Sequence, residues 1–475
     1  DYIDFYYERN IPAMLSREGP KAACADVNGD GLDDVYIGGT KGHPGQLYLQ
    51  TTSGQFEKKK VQAFEQFIEF EDDAVLFFDA DGDGDADLFA GPGGNNNPPY
   101  SRLMQNRLFI NDGKGNFTVD VKAFPANGMN TGVAAAHDFD GDGDLDLFVG
   151  GRSVPRDYGL HPASFIYVND GKGHFTDIAA ATNKDIARIG MVTDAAWADV
   201  TGDGQQELII VGEWMAPRIF SWNGNAFTEL STNLSDLYGW WRALKVVDVN
   251  NDQLPDLVLG NLGDNFYLHP SKENPVKLYI NDFNNNGMNE KILTRTLEGR
   301  EVPVVLKRDM QDQVPSIKKK NVKHHDYALK TIQELFPPEL LNKSQVRQLT
   351  YSRSVVAINQ GNGSFEIRAL PLQAQFSVIN ALHCEDVNND GYTDIIAGGN
   401  DSGFPPQFGK LDASYGDVFI NDGQGGFTWQ HNRKSGLLVR GEVRDIASLR
   451  GKNRSWLLFL RNNDRPLLYE KATGK

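Results

Sequence analysis

Residues 138–146 place four oxygen-bearing side chains at fixed offsets: Asp138, Asp140, Asp142 and Asp146 occupy positions 1, 3, 5 and 9 of a loop. In a tight loop the odd-numbered side chains converge on one point, and the carbonyl of position 7 can join them. Gly143, at position 6, tolerates the positive φ of a chain that wraps around an ion. Hard oxygen donors in this number suit Ca²⁺. The pattern opens like an EF-hand loop, but its last carboxylate falls at position 9 rather than 12. The next residues are Leu147-Phe148-Val149, a β run and not an amphipathic helix. The stretch therefore reads as a cation loop between two strands. Carboxylates facing one another repel without a cation, so the expected role is structural and not catalytic.

The loop recurs. Asp26, Asn28, Asp30 and Asp34 form the first copy. Asp79, Asp81, Asp83 and Asp87 form the second, and the stretch above is the third. Asp199, Thr201, Asp203 and Glu207 form a fourth, in which a hydroxyl replaces a carboxylate or amide. Asp248, Asn250, Asp252 and Asp256 form a fifth, with Gln253 in the glycine's place. Asp386, Asn388, Asp390 and Asp394 form a sixth. Another loop stands apart at Asp282, Asn284, Asn286 and Glu290. The first five starts are 53, 59, 61 and 49 residues apart, a period that suits one four-stranded propeller blade. Glycine hairpins recur as well, at residues 111–117, 169–175, 359–365 and 421–427, each ending in phenylalanine. Asn-Asp-Gly is read as the turn, and the phenylalanine as the start of a fourth strand.

These elements predict an all-β fold, a seven-bladed β-propeller over residues 1–475. The interval from Asp248 to Asp386 is 138 residues, too long for one blade, so residues 271–353 are read as a partly helical insertion within blade five. A helix is expected near residues 322–336, with Ala328, Ile332, Leu335 and Phe336 as its apolar stripe and Pro337-Pro338 as its stop. The last blade has strands at Val443–Leu449, Trp456–Leu460 and Pro466–Glu470. Asp445 stands where its loop should start, but Ala447 and Leu449 fill ligand positions. In Ile3–Glu8, Ile3, Phe5 and Tyr7 alternate with Asp4, Tyr6 and Glu8, so this segment is expected to supply the missing strand and close the ring.

The net charge is −17, which argues against nucleic acid as a partner and fits a chain that holds cations. No apolar run approaches the ~20 residues of a membrane-spanning helix. Cys24 and Cys384 each precede a loop by two residues, so they should be too far apart to bond and are read as buried thiols. Trp240-Trp241 is read as packing between blades, and Lys318-Lys319-Lys320 and His324-His325 as surface. The long loops at 91–106, 151–162 and 400–412 follow second strands and are candidates to line one face of the ring. No nucleophile motif, phosphate-cradling loop or zinc spacing is found.

The repeated loops and hairpins resemble the FG-GAP/VCBS repeat family, whose members include the integrin α-subunit head. The resemblance implies a calcium-stabilised propeller outside the cell. Gly260-Asn-Leu-Gly-Asp-Asn265, Leu370-Pro-Leu-Gln-Ala-Gln375 and Asp412-Ala-Ser-Tyr-Gly416 look closer still to exported Bacteroidota proteins of the FG-GAP/ASPIC-UnbV type. That likeness implies an outer-membrane lipoprotein at the cell surface, with protein partners such as a TonB-dependent importer, or a glycan. The leading expectation is a non-enzymatic binding or assembly module holding six or seven structural Ca²⁺. A polysaccharide lyase is the first rival, and would need an arginine, lysine or histidine base in a cleft beside an exposed calcium. An integrin-like adhesion protein is the second, and would need a calcium with an open coordination site.

Overall fold

The runs on either side of each acidic loop form antiparallel strand pairs. Ala22–Ala25 pairs with Asp34–Ile37, Asp72–Phe78 with Asp87–Pro92, and Asn130–His137 with Asp146–Ser153. Met191–Ala198 pairs with Glu207–Met215, Ala243–Val247 with Asp256–Gly260, and Ile379–Glu385 with Asp394–Gly399. Each pair is extended by a third and a fourth strand in meander order. These are sheets one to six. Sheet seven has three strands among the described residues, Val443–Arg450, Ser455–Arg461 and Leu467–Glu470. The computed structural model describes residues 2–471, so the expected domain of 1–475, and any strand after Lys471, reaches outside the described residues.

The first strands lie side by side in chain order, and that of sheet seven packs beside that of sheet one. The molecule is a β-propeller whose core lies between neighbouring sheets. Val27, Tyr36 and Leu47 of sheet one, for example, interleave with Leu88, Phe109 and Phe117 of sheet two. Trp240 and Trp241 are both fully buried. Cys24 and Cys384 are free, half-buried thiols on the first strands of sheets one and six. Burial raises the Cys384 thiol to about 12 and the Cys24 thiol further, so neither is a ready nucleophile.

Asp256–Gly260 pairs directly with Val355–Asn359, and residues 261–354 leave and return between them. The expected strand and helix there are in fact a four-stranded sheet under five short helices. The strand order is Arg300–Pro303, Glu290–Leu297, Val276–Asn281, Gln345–Leu349. This inserted sheet is apolar on both faces. Tyr279 and Ile292 pack under Met310, Ile317, Ile332 and Leu335 of the helices. Leu278, Ile280 and Leu293 pack against Trp214, Trp240 and Phe404 of the ring. The single helix expected over 322–336 is broken into His324–Ala328 and Ile332–Leu335. Thr331 starts the second piece with a reciprocal capping box to Glu334, which competes with helix continuation. Ala328 is exposed and Tyr327 is the buried residue. Pro338 opens another short helix, Pro338–Lys343, instead of ending one.

The N-terminal segment does not complete sheet seven. Asp4–Tyr7 is a single helical turn. The period-two reading failed because Asp4 and Glu8 are the buried residues, while Tyr6 and Tyr7 are exposed; a four-residue spacing puts Asp4 and Glu8 on one face of a turn. Asp4 accepts hydrogen bonds from the Leu15 amide at 3.3 Å and from Asn95 Nδ2 at 2.7 Å, and also from the Ser16 hydroxyl. Glu8 accepts from Asn95 Nδ2 at 3.0 Å and the Tyr158 amide at 2.7 Å, and pairs with Lys291 of the inserted sheet at 3.1 Å. Ile11, Ala13 and Leu15 follow into the apolar seam between the ring and the inserted sheet. The ring instead closes through its own backbone. The Asp33 amide donates to the Arg450 carbonyl at 3.0 Å, and the Ala22 amide to Asp445 Oδ2 at 2.9 Å. Asp445 therefore lies inside the first strand of sheet seven and begins no loop.

Asp4→Ala strands several buried donors and should cost about 2–3 kcal/mol in denaturant unfolding, whereas exposed Tyr7→Ala should stay within about 0.5 kcal/mol. Strand closure would have given the opposite order.

Candidate functional site

All seven acidic loops share one backbone device. The position 1 carboxylate accepts the position 6 amide: Asp26 from Gly31, Asp79 from Gly84, Asp138 from Gly143, and Asp199 from Gly204, at 2.7 to 3.0 Å. Asp248, Asp282 and Asp386 do the same with Gln253, Gly287 and Gly391, each at 2.8 Å. Gln253 pays the steric cost of this geometry, with a φ of +72° where Gly143 has +98°.

The position 9 carboxylate opens the second strand and is buried. It accepts the position 2 amide of its own loop: Asp34 from Val27, Asp87 from Ala80, Glu207 from Val200, Asp256 from Val249, Glu290 from Phe283 and Asp394 from Val387, at 2.7 to 3.2 Å. Two loops bring three carboxylates together. One oxygen from each of Asp79, Asp81 and Asp87, and one from each of Asp138, Asp140 and Asp146, lie within 4.8 Å of one another. Asp83 and Asp142 stand outside those triplets. Asp81 Oδ1 and Asp146 Oδ2 are buried with no hydrogen-bond partner, an arrangement that fits a divalent cation. Burial, followed by the neighbouring loop charges, pushes the Asp87 and Asp146 carboxyls up to about 7 and those of Asp34 and Asp256 to about 6, against the backbone hydrogen bonds that each accepts.

The remaining loops carry an amide or a hydroxyl at position 3. Asn28 accepts the Asp30 amide at 3.0 Å. Asn250 and Asn388 turn their amide nitrogens onto Asp252 and Asp390, at 2.9 and 2.8 Å. Thr201 points its hydroxyl at Glu207, at 3.4 Å, with Asp203 further along the loop. In the inserted sheet, Asn284 donates to Glu290 at 2.8 Å, its own oxygen stays unpartnered, and Asn286 accepts the Met288 amide.

A role missed in the sequence belongs to the asparagine that precedes each hairpin. The turn is shared as expected: Asn111, Asn169, Asn359 and Asn421 each accept a loop glycine amide at Oδ1, and Asp112, Asp170 and Asp422 each cap two more amides. The asparagine is the last residue of the third strand, and it staples two sheets. Asn111 Nδ2 donates to the Val27 carbonyl of the preceding sheet at 2.9 Å, while its amide donates to Asp87 at 2.7 Å. Asn169 repeats this with Ala80 and Asp146, Asn359 with Val200 and Asp256, and Asn421 with Val249 and Asp394. Gln50 serves sheet one, reaching the Arg450 carbonyl of sheet seven at 2.9 Å and Asp34 at 2.8 Å. Acidic loops of neighbouring sheets are thus wired to one another along much of the ring. The relay is interrupted between sheets three and four, where Phe139, Trp197, Trp222 and Phe227 pack instead, and between sheets six and seven. The signal was a repeated asparagine whose partner lies in another sheet.

In an antiparallel meander, the connections from second to third strands leave the end opposite the acidic loops. The loops at 91–106, 151–162 and 400–412 contribute Asn95, Tyr158 and Phe404 to the packing around the N-terminal segment and inserted sheet. Below that segment, Glu18 meets Arg152 through two bonds of 2.6 Å and Arg242 at 3.1 Å, and both arginines also pair with Glu213. Burial alone would raise the Glu18 carboxyl, but Arg152 and Arg242 outweigh it and hold it below its usual range. Asp73 nearby is pushed up to about 8, first by burial and then by the charges of Glu18 and Glu71.

A cleft of about 870 Å³ opens on the same face. It is lined by Tyr7, Arg9, Arg156, Asp157 and the loop from Phe283 to Lys291. Tyr7 stacks on Tyr2 with centroids 4.5 Å apart. The cations of the cleft are engaged. Lys291 lies between Glu8 and Asp157 at 3.1 and 2.8 Å, Arg9 faces Asp312 at 3.4 Å, and Arg156 donates to the Asn96 carbonyl.

Asn359→Ala should lower stability by about 2–4 kcal/mol, since it leaves the Val200 and Pro255 carbonyls without their donor. Asn223→Ala, at an exposed hairpin outside the relay, should stay within about 0.5 kcal/mol. Denaturant midpoints of the two variants provide the check.

No curated protein sequence matches the chain. Among solved structures, the V. cholerae biofilm matrix protein Bap1 is similar at 13% identity, over 98% of this chain and 89% of that one, with a TM-score of 0.42. YCF48 bound to D1 peptide is similar at 8% identity, over 98% and 96%, with a TM-score of 0.42. The exotype rhamnogalacturonan lyase YesX is similar at 10% identity, over 96% and 73%, with a TM-score of 0.38. Likenesses this weak carry no weight on function. The family model for the FG-GAP-like repeat matches residues 26–90, 79–149 and 199–259, which contain five of the acidic loops. This β-propeller carries FG-GAP-like repeats in those three places.

Proposed function

We propose that the chain is a calcium-loaded, seven-bladed propeller acting outside the cell as a non-enzymatic binding module. In this reading residues 271–353 are an insertion in blade five, and sheet seven is the closing blade. The observation that carries it is the separation of two ends. The acidic loops of the ring are built into the hydrogen-bond relay between sheets, where a metal steadies the scaffold. The cleft lies at the other end, bordered by three segments distant in sequence. Asp79, Asp81 and Asp87, and Asp138, Asp140 and Asp146, would hold the best-formed ions, with the loops at Asp26, Asp199, Asp248, Asp282 and Asp386 as further sites. Bound Ca²⁺ supplies positive charge between carboxylates that otherwise repel. Weak loops of this kind fill at millimolar calcium, which is found outside cells.

Exposed Tyr7, stacked on Tyr2 and flanked by Asn285 and Arg156, offers an aromatic face with polar neighbours, a chemistry suited to a glycan or an extended peptide. The natural setting proposed is the cell surface, as a lipoprotein partner of an outer-membrane importer. The lyase alternative needs a free base in this cleft. Lys291, held between two carboxylates, favours binding over proton abstraction.

Excess EDTA is expected to lower the melting temperature by about 10 °C or more through ligand linkage; an unchanged curve would sink the calcium assignment. Asp140→Ala should cost about 1–2 kcal/mol more calcium-dependent stability than Thr201→Ala. Glycan and peptide arrays probed with the labelled protein test the cleft. Tyr7→Ala should abolish any positive signal, and release of unsaturated uronate from a polyuronate would replace the binding reading with the lyase one.

A further inference from the structure

Arg347, on the last strand of the inserted sheet, is a half-buried guanidinium with no carboxylate partner among the described residues. Its Nε donates to the Gly159 carbonyl and its Nη2 to Gln345 Oε1, each at 2.8 Å. Burial brings it down to about 10. Arginines of the core are treated differently: Arg107 meets Asp72, Arg152 and Arg242 meet Glu213, and Arg444 meets Glu442. A cation taken partly out of water without a counter-ion is costly. Arg188, exposed at the end of the short turn Ile186–Arg188, is a second arginine without an acid among the described residues, and its Nη1 reaches the His161 carbonyl at 3.3 Å. Burial, followed by Arg347, brings the His161 imidazole down to about 4, so the ring adds no charge at neutral pH.

Both arginines line an open cleft of about 490 Å³, and none of its lining residues is acidic, in a chain of net charge −17. Another wall is Tyr100, from the loop at 91–106. Tyr100 has a φ of +62°, a conformation that is costly for a bulky residue and that persists where the surroundings enforce it. Its amide donates to the Gly128 carbonyl at 3.1 Å, and its ring lies so close on Gly128 that a Cβ there would collide with it. The residue is nonetheless 73% exposed. A strained backbone thus presents one flat aromatic face beside two arginines that lack a counter-ion.

We propose that this cleft is an acid-recognising subsite that takes a sugar ring carrying a carboxylate or a sulfate. The C–H face of the ring would stack on Tyr100, and its anionic group would meet Arg188 and Arg347, whose planar forks match such oxygens. An apolar peptide side chain would instead need an enclosing pocket, and this face is open and planar. The cleft shares no lining residue with the one at Tyr7, but both border the loop at 151–162, through Leu160 here and Arg156 there. One extended glycan can therefore rest on Tyr7 and place an acidic sugar against Arg347. The binding reading given above, on which this rests, thereby gains a ligand class: an acidic glycan.

The probes are a galacturonate hexasaccharide, a heparin-derived hexasaccharide and a neutral galactose hexasaccharide, each titrated with the full chain in millimolar calcium. At least one acidic probe should bind saturably, about tenfold or more above the neutral one, and weaken as salt is raised. Arg347→Gln should weaken the acidic probe about tenfold or more and leave the neutral one unchanged. Arg188→Gln, on the surface and compatible with folding, should weaken it about threefold, and Tyr100→Ala about tenfold. Arg433→Gln, an exposed arginine outside the cleft, should have no effect. Preference for the galacturonate probe assigns a carboxylate, and preference for the heparin probe a sulfate. Equal affinity for acidic and neutral probes overturns the proposal while a glycan-binding module stands, and so does acidic binding that survives both arginine variants. Binding of none of the three overturns it together with the glycan reading of the Tyr7 cleft. Polyglutamate that binds more tightly than either acidic sugar, and is lost with Arg347→Gln, would give the cleft to an acidic peptide instead.

Discussion

A buried carboxylate at the head of the second strand in sheets one to six is the constraint on which the ring depends. Removed from water, such a group must be met by donors or by a cation. Each loop supplies its own position 2 amide, and in most sheets the third strand supplies a second amide. Those same peptide groups then reach the next sheet through asparagine. A local requirement, the satisfaction of one carboxylate, thereby becomes the link between neighbouring sheets. Apolar interleaving supplies most of the burial, while the relay fixes the angular setting of one sheet against the next. Between sheets three and four, one of the joints without the asparagine, aromatic packing takes over.

Legibility in the sequence tracks the range of each interaction. The loops were legible because position 1 and position 6 are five residues apart and their contact is local. The meander was legible because glycine hairpins and alternating strands are short-range signals. Asn111 was visible as a residue but not as a staple, since Val27 lies 84 residues away. Ile3–Glu8 was misread for a related reason. Six residues can satisfy a period of two and a spacing of four at once, and the partners that decide between them, Asn95, Tyr158 and Lys291, are distant in sequence. The inserted sheet was hidden because its last strand, Gln345–Leu349, pairs back across five helices. The two triplets of converging carboxylates, at Asp79 and Asp138, are those whose position 3 residue is aspartate. The remaining loops carry an asparagine or a threonine there, and several of these turn their hydrogen bonds inward.

The face opposite the loops obeys a different logic. Its contacts are polar and buried, with Asp4, Glu8 and Glu18 each meeting several donors. Such groups contribute little net stability when paired but are costly when left alone. They hold the N-terminal segment in one position between two apolar layers. A cleft whose walls come from that segment, from sheet three and from the inserted sheet is then shaped by three independent supports.

The clamp on the N-terminal segment also orders events in time. Its anchors include Lys291 and the apolar face formed with Leu278, Leu293 and Leu349, all encoded well past the middle of the chain. During synthesis, sheets one to four can form while residues 4–15 still have no complete seat. That segment settles only after the inserted sheet has folded over it, so the face opposite the acidic loops is sealed later than the sheets that precede the insertion.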